Sequence, residues 1–326
     1  MSRQVEQERA LPVVGVYHGE PEPYLPLIRE IIPASHLRVC TRWDRLAEIL
    51  EDVDVLLAFK FGFRPFPRAL ILEAPRLRWV QLGSAGIDHL TPYDPERLVV
   101  TNASGIHGDI MAQYVLSMLV HVLWNVPRLI EQQRARHWQR YEVPSLSGRS
   151  MAIVGAGRVG AVIGRCARAF GMRVYGVRRS GAPVEGFNGT CGPEGLPALL
   201  SDADVVVLTL PLTPETRHSI GANELGRLKP TAWLINVSRG GIVNEAALID
   251  LLRRRAIAGA VLDVFAAEPL PADSEFWTLP GVVVTPHISS ELEGWPVELA
   301  RLFCANVRRW ISHEPLENVV DPVAGY

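Results

Sequence analysis

Apolar, β-branched runs alternate with helix-periodic stretches almost from end to end of the chain. In the first part the runs fall at 12–17, 53–59, 77–82 and 98–101, with helical periodicity at 24–32 and 43–50 between them. The second part repeats the pattern more sharply, at 150–154, 173–177, 204–210, 232–237, 260–265 and 282–285. Short continuous apolar runs suit parallel strands buried on both faces. Their alternation with helices predicts a doubly wound α/β fold. Two longer helices are expected, one over 108–124 and one over 296–311, and 144–147 reads as a loop entering the 150 strand. This layout predicts one domain over 102–289, inserted in a smaller one built from 1–101 and 290–326. No fixed-period repeat is visible, which excludes a solenoid.

Composition narrows the class without naming a function. The 326 residues allow two domains of ordinary size, and 48% hydrophobic with 21% charged residues describes a globular chain. A net charge of −2 gives no reason to expect nucleic acid or an anionic membrane as partner. Cys40, Cys166, Cys191 and Cys304 lie far apart with no CxxC pair, so neither disulfides nor zinc is expected, and a reducing cytoplasm fits. The opening MSRQVEQERA lacks the apolar stretch of a signal peptide, and no run of apolar residues is long enough to predict a membrane span. His18, His36, His89, His107, His121, His137, His218 and His313 show no metal-ligand spacing, so no metal is expected.

Gly155-Ala156-Gly157-Arg158-Val159-Gly160 follows the apolar MAIV and opens a helical stretch. In that context a GxGxxG pattern reads as a dinucleotide loop. Gly155 permits the tight turn, Gly157 lets the backbone approach a pyrophosphate, and Gly160 lets helix and strand pack closely. The amides of Arg158, Val159 and Gly160, at the positive end of the helix dipole, are offered to the phosphates.

About 20 residues further on, an NAD-binding chain usually carries an acid for the ribose 2′-hydroxyl. Here the second strand ends in Arg178-Arg179-Ser180 instead. Two guanidiniums and a hydroxyl can clamp a 2′-phosphate; the bland alternative is a solvated basic turn. NADP(H) is therefore the expected cofactor, with NAD(H) as the alternative.

Three further segments stand in order: Asn236-Val237-Ser238-Arg239-Gly240-Gly241, Leu262-Asp263-Val264-Phe265-Ala266-Ala267-Glu268-Pro269-Leu270, and Val284-Thr285-Pro286-His287-Ile288. With the glycine loop and Pro211-Leu212-Thr213-Pro214-Glu215-Thr216, they resemble the D-isomer-specific 2-hydroxyacid dehydrogenases, in particular the glyoxylate/hydroxypyruvate reductases. The resemblance is dense from Asn102 to His287 and thinner before. It implies a Rossmann cofactor domain within a flavodoxin-like substrate domain, and reduction of a small 2-keto acid to the D-2-hydroxy acid. The residues read singly agree with those roles. A 2-keto acid needs a cation for its carboxylate, which Arg239 can bind as a fork. It also needs a proton donor for its carbonyl oxygen, and His287 can supply one near neutral pH, with Glu268 holding the imidazole. Taken alone, each of the three has a structural alternative: a surface charge, a loop, a packed turn.

Other roles come from the resemblance only. It implies that the amides of Ser84, Ala85 and Gly86 help bind the substrate carboxylate, and that Pro211, Thr216, Val237 and Asp263 contact the cofactor, Asp263 at the nicotinamide carboxamide. It implies a homodimer through an arm at 126–141, with Trp138 reaching the partner's pocket; the alternative is a Trp packed in its own subunit. Asn102 and His107 border the expected hinge. Gln113 stands where the family commonly has a glutamate. The nearest rivals are a dinucleotide-sensing co-repressor, which shares the Arg–Glu–His set, and a phosphite dehydrogenase; formate dehydrogenases carry Gln where Glu268 stands. Ser104-Gly105 and Ser238 lack the nucleophile-elbow pattern of a hydrolase.

Overall fold

The computed structural model describes residues 11–321, so the polar opening 1–10 read above lies outside the described residues. The chain divides into two compact units, residues 1–106 with 293–326, and residues 107–292. The divisions fall a few residues beyond those expected at 101 and 289. Asn102 donates its amide to the Asn318 carbonyl (3.2 Å), Ala103 donates to Ser84 (3.1 Å), and Asn318 Nδ2 donates to Ser104 (2.7 Å). These bonds hold 102–104 in the first unit.

The first unit is a five-stranded parallel sheet of β1 (Val14–Tyr17), β2 (Leu37–Cys40), β3 (Val55–Ala58), β4 (Trp79–Leu82) and β5 (Val99–Thr101), in the order β2-β1-β3-β4-β5. This is the flavodoxin-like order, which reverses between β1 and β3. Strand pleating sends Val55 and Leu57 to one face and Leu56 and Ala58 to the other. On the first face they meet Ile28 of the helix Leu25–Arg29 and Leu299, Phe303 and Val307 of the helix Trp295–Ile311. On the second they meet Leu46, Leu50 and Ile71.

The second unit is a seven-stranded parallel sheet: β6 (Ser150–Val154), β7 (Arg173–Val177), β8 (Gly189–Cys191), β9 (Val205–Leu208), β10 (Trp233–Asn236), β11 (Gly259–Leu262) and β12 (Val282–Val284). Its order, β12-β11-β10-β9-β6-β7-β8, is that of a Rossmann sheet extended by one strand. The helix Gly108–Leu123 buries Ala112, Val115, Leu116 and Leu119 and lies against the helix Arg158–Ala169. The approach is close enough that a Cβ on Gly108 would stand 3.0 Å from Val162 Cγ2. Among the described residues no single helix is long and apolar enough to cross a membrane.

The doubly wound expectation holds, and the central strands lie where the apolar runs place them. Two strands escaped the hydrophobic pattern, β2 and β8. Both are sheet edges, half-exposed, and interrupted by Arg38 or built on Gly189, so neither makes an apolar run. Several runs overshot. β9 stops before Thr209, whose hydroxyl donates to the Gly155 carbonyl (2.7 Å), and β11 stops before Asp263, whose carboxylate is engaged in the site. The helix expected over 43–50 shrinks to Ala47–Leu50, and that over 24–32 to Leu25–Arg29.

Candidate active site

Strand β6 runs into the glycine loop and then the helix Arg158–Ala169, at the point where the second sheet reverses its order between β6 and β9. Open α/β sheets bind ligands at such a point. The three glycines differ in what demands them. Gly155 has φ +103° and a Cβ there would sit 2.7 Å from the Thr209 carbonyl carbon. One on Gly160 would sit 2.7 Å from the Gly155 carbonyl oxygen. A Cβ on Gly157 would find only that oxygen, 3.9 Å away, so no protein atom requires the glycine and the space above it is open. No side chain caps the helix N-terminus. Both observations fit a pyrophosphate laid on the loop.

At the tip of β7, Arg178 is half-buried while Arg179 and Ser180 are exposed. The Arg178 amide donates to the Cys191 carbonyl (3.0 Å) and Gly181 closes the turn onto the Arg178 carbonyl (3.0 Å). In the neighbouring loop, Glu215 is held below the usual carboxylate range, first by a hydrogen bond with Thr213 and, as the smallest contribution, by the charge of Arg179. Half-buried Pro211 and Thr216 shape this neighbouring loop, where the Thr216 hydroxyl donates to the Pro211 carbonyl (2.7 Å) and accepts from the Thr213 amide (2.8 Å).

The carboxyl ends of β10, β11 and β12 bring Arg239, Glu268 and His287 together. Asn236 braces the turn that carries Arg239. It accepts from the Ser238 amide and hydroxyl (3.1 and 2.7 Å) and donates to the Arg239 carbonyl (3.1 Å), with Val237 buried between. Gly240 lets this turn touch the next one, since a Cβ there would lie 1.9 Å from the Phe265 carbonyl carbon. Glu268 accepts from the Phe265 amide at Oε1 (3.0 Å) and pairs through Oε2 with His287 Nδ1 (2.8 Å). Burial pushes the Glu268 carboxyl up, but the bonds from His287 and Phe265 and the charges of His287 and Arg239 outweigh it and hold it below the usual range.

Asp263 is fully buried and its carboxylate binds protein. It accepts from the Ile288 amide (2.9 Å), the Ser289 amide (2.9 Å) and the Thr285 hydroxyl (2.6 Å). The Asp263 carbonyl receives the His287 amide (2.9 Å), and Tyr114 Oη meets Thr285 Oγ1 (2.6 Å). Sequence reading gave no role to Asn236, Thr285 or Tyr114. Nothing in the chain connects Tyr114 to Thr285, 171 positions away.

Ser84, Ala85 and Gly86 belong to the other unit. Their carbonyls receive Ala103 N, Asn102 Nδ2 and Ser84 Oγ (3.1, 2.8 and 2.7 Å). Among the described residues, their amides donate to nothing. In the arm, the helix Val126–Arg134 is followed by residues without regular structure, and Trp138 is 95% exposed.

A Rossmann sheet with a glycine loop and an imidazole–carboxylate pair at its strand tips defines a nicotinamide-dependent oxidoreductase architecture. Residues 116–289 match the family model of the D-isomer specific 2-hydroxyacid dehydrogenase NAD binding domain. The chain is 31% identical to a glyoxylate reductase of Korarchaeum cryptofilum, over 98% of this chain and 96% of that protein. A D-isomer specific 2-hydroxyacid dehydrogenase of Xanthobacter autotrophicus, solved with NADPH and MES, superposes with a TM-score of 0.85 at 32% identity, over 97% of this chain and all of that one (100%). An NADPH-dependent glyoxylate/hydroxypyruvate reductase of Sinorhizobium meliloti, solved with NADP and sulfate, superposes at 0.83 with 28% identity, over 96% and 99%. The chain belongs to the D-isomer specific 2-hydroxyacid dehydrogenases, a family of NAD(P)-dependent enzymes.

Proposed function

We propose that the protein reduces a small 2-keto acid of the glyoxylate or hydroxypyruvate kind to the D-2-hydroxy acid, using NADPH in preference to NADH. The observation that carries this reading is the 2.8 Å pair of His287 and Glu268, formed where the charge of Arg239 also acts on Glu268. The names of the relatives support the substrate class. Bound on the glycine loop, with Val237 and the loop around Pro211 and Thr216 beside it, the reduced nicotinamide supplies the hydride. Arg239 receives the substrate carboxylate in a fork. Because the Glu268 carboxylate can only accept, His287 carries a proton on Nδ1 and presents Nε2 to the carbonyl oxygen. From Nε2 it gives up a proton during reduction and recovers one during oxidation. Glu268 fixes that orientation and compensates the imidazolium charge. Asp263 acts from beneath, holding the turn on which His287 sits.

The arm supports a homodimer, because an exposed Trp such as Trp138 gains most by burial against a second copy. A reducing, cytoplasmic setting suits four scattered cysteines. The test is a panel of 2-keto acids assayed with NADPH and with NADH. Turnover of glyoxylate or hydroxypyruvate is expected, and its absence across the panel would overturn the reading.

A further inference from the structure

An open depression of about 350 Å³ lies wholly within the first unit, at the carboxyl ends of β1, β2 and β3, and is lined by residues that no role above uses. His18 directly follows β1, and Lys60 and Phe61 lie just past the end of β3. The strand order of this sheet reverses between β1 and β3, so the depression sits at the point where an open α/β sheet takes its ligands.

Aromatic rings build it. His18 stacks on Phe59 at 4.0 Å and Phe61 packs on Tyr17 at 4.6 Å. Tyr24 is fully buried, and among the described residues its hydroxyl meets only His18 Nδ1, at 2.9 Å. With the hydroxyl as donor, the ring N–H stands on Nε2. Burial lowers His18 to about 4, so this donor is neutral at neutral pH.

The cations are left uncompensated. Lys60 has no hydrogen bond or ion pair among the described residues. Arg64 lies over the Trp43 ring at 5.1 Å and, among the described residues, pairs with no carboxylate. Nearby, Arg38 pairs with Asp52 (2.5 Å), Arg42 with Asp44 (3.0 Å) and Arg45 with Glu48. The one carboxylate of the lining, Glu20, makes no ion pair with either cation.

We propose that this pocket binds a small organic anion, its carboxylate taken by Lys60 and Arg64 and its apolar body lying on Phe61 and Trp43. The anion is a free metabolite, bound apart from the keto acid that the reductase reading assigns to Arg239.

Calorimetric titration of the full chain with succinate tests it, with neutral succinamide as the control for shape. Succinate is expected to bind at millimolar concentration and succinamide not. Lys60→Met and Arg64→Met, with thermal unfolding unchanged, should each weaken binding about tenfold, the low end for an exposed charge-assisted contact. Succinate binding that survives Arg239→Ala supports this pocket, and binding lost in Arg239→Ala overturns it. No succinate binding, or binding retained in both variants, overturns the pocket. Succinate binding by a chain that turns over no keto acid would instead sink the reductase reading and leave the pocket standing.

Discussion

His287 sits at φ +57°, in the left-handed region that a side chain other than glycine seldom adopts. Strain of this kind persists where the surroundings over-determine it. Here two successive amides beyond His287 grip the Asp263 carboxylate. Replacing His287 by Asn should lower kcat by at least about 10²–10⁴-fold, the range that general acid catalysis supplies, while NADPH still quenches protein fluorescence. Glu268→Gln should be milder, because it removes a charge but keeps an acceptor. Activity of His287→Asn within tenfold of wild type would remove the imidazole from the chemistry.

A different histidine governs a pH effect. Burial lowers His18 from 6.5 to about 4, against a smaller opposing pull from Glu22. Between those two values the unfolded chain takes up a proton that the folded chain refuses, so stability falls as pH drops through that window. In His18→Asn, which does not titrate, urea midpoints should decline less from pH 6.5 to 4. Parallel curves for the two proteins would refute this.

At the scale of elements, the site depends on turns pressed against one another. A Cβ on Gly240 would lie 1.9 Å from the Phe265 carbonyl carbon, so no methyl group fits between the β10 and β11 exits. Gly240→Ala should therefore destabilise the fold by about 1–3 kcal/mol and lower kcat/KM by displacing Arg239. Unchanged stability and kinetics would mean that the two turns part freely. The β7 turn makes a separate prediction. A carboxylate at 178 would accept from a ribose hydroxyl and repel a 2′-phosphate, and Arg178 reverses that sign. Arg178→Asp should cost NADPH use about 10–150-fold in kcat/KM at low ionic strength, toward the low end where solvent screens the charge. Arg179 contributes less, since it is exposed where Arg178 is half-buried. An NADH preference in the wild type, or no loss in the variant, would sink the assignment.

The chain announced its central strands and the glycine loop because burial on both faces demands unbroken apolar runs. Edge strands β2 and β8 escaped because solvent on one side frees them from that demand. Arg239, Glu268 and His287 were legible from the short segments around them. Their bracing was not, since Asn236, Thr285 and Tyr114 act through hydrogen bonds that look like ordinary polar positions in a sequence.

For the whole molecule, assembly is the open variable. An arm carrying Trp138 at 95% exposure, with Leu129 and Ile130 also exposed, predicts that the protein sediments as a dimer at micromolar concentration. Trp138→Ala should weaken the dimer or raise KM. An active monomer would refute the arm's role.

By itself, the sequence determined the α/β alternation and marked the glycine loop and the segments that carry Arg239, Glu268 and His287 as the candidate site. Each is written locally, in periodicity or in a few adjacent residues. Only the tertiary structure decided where the units divide, that Gly157 opens onto space while Gly155 and Gly160 fill it, and that Asp263 spends its carboxylate on the turn bearing His287. Those outcomes depend on which distant segments come within a few ångströms. The chain between them carries no mark of that approach, because hydrogen bonds and steric contacts are properties of distance in space.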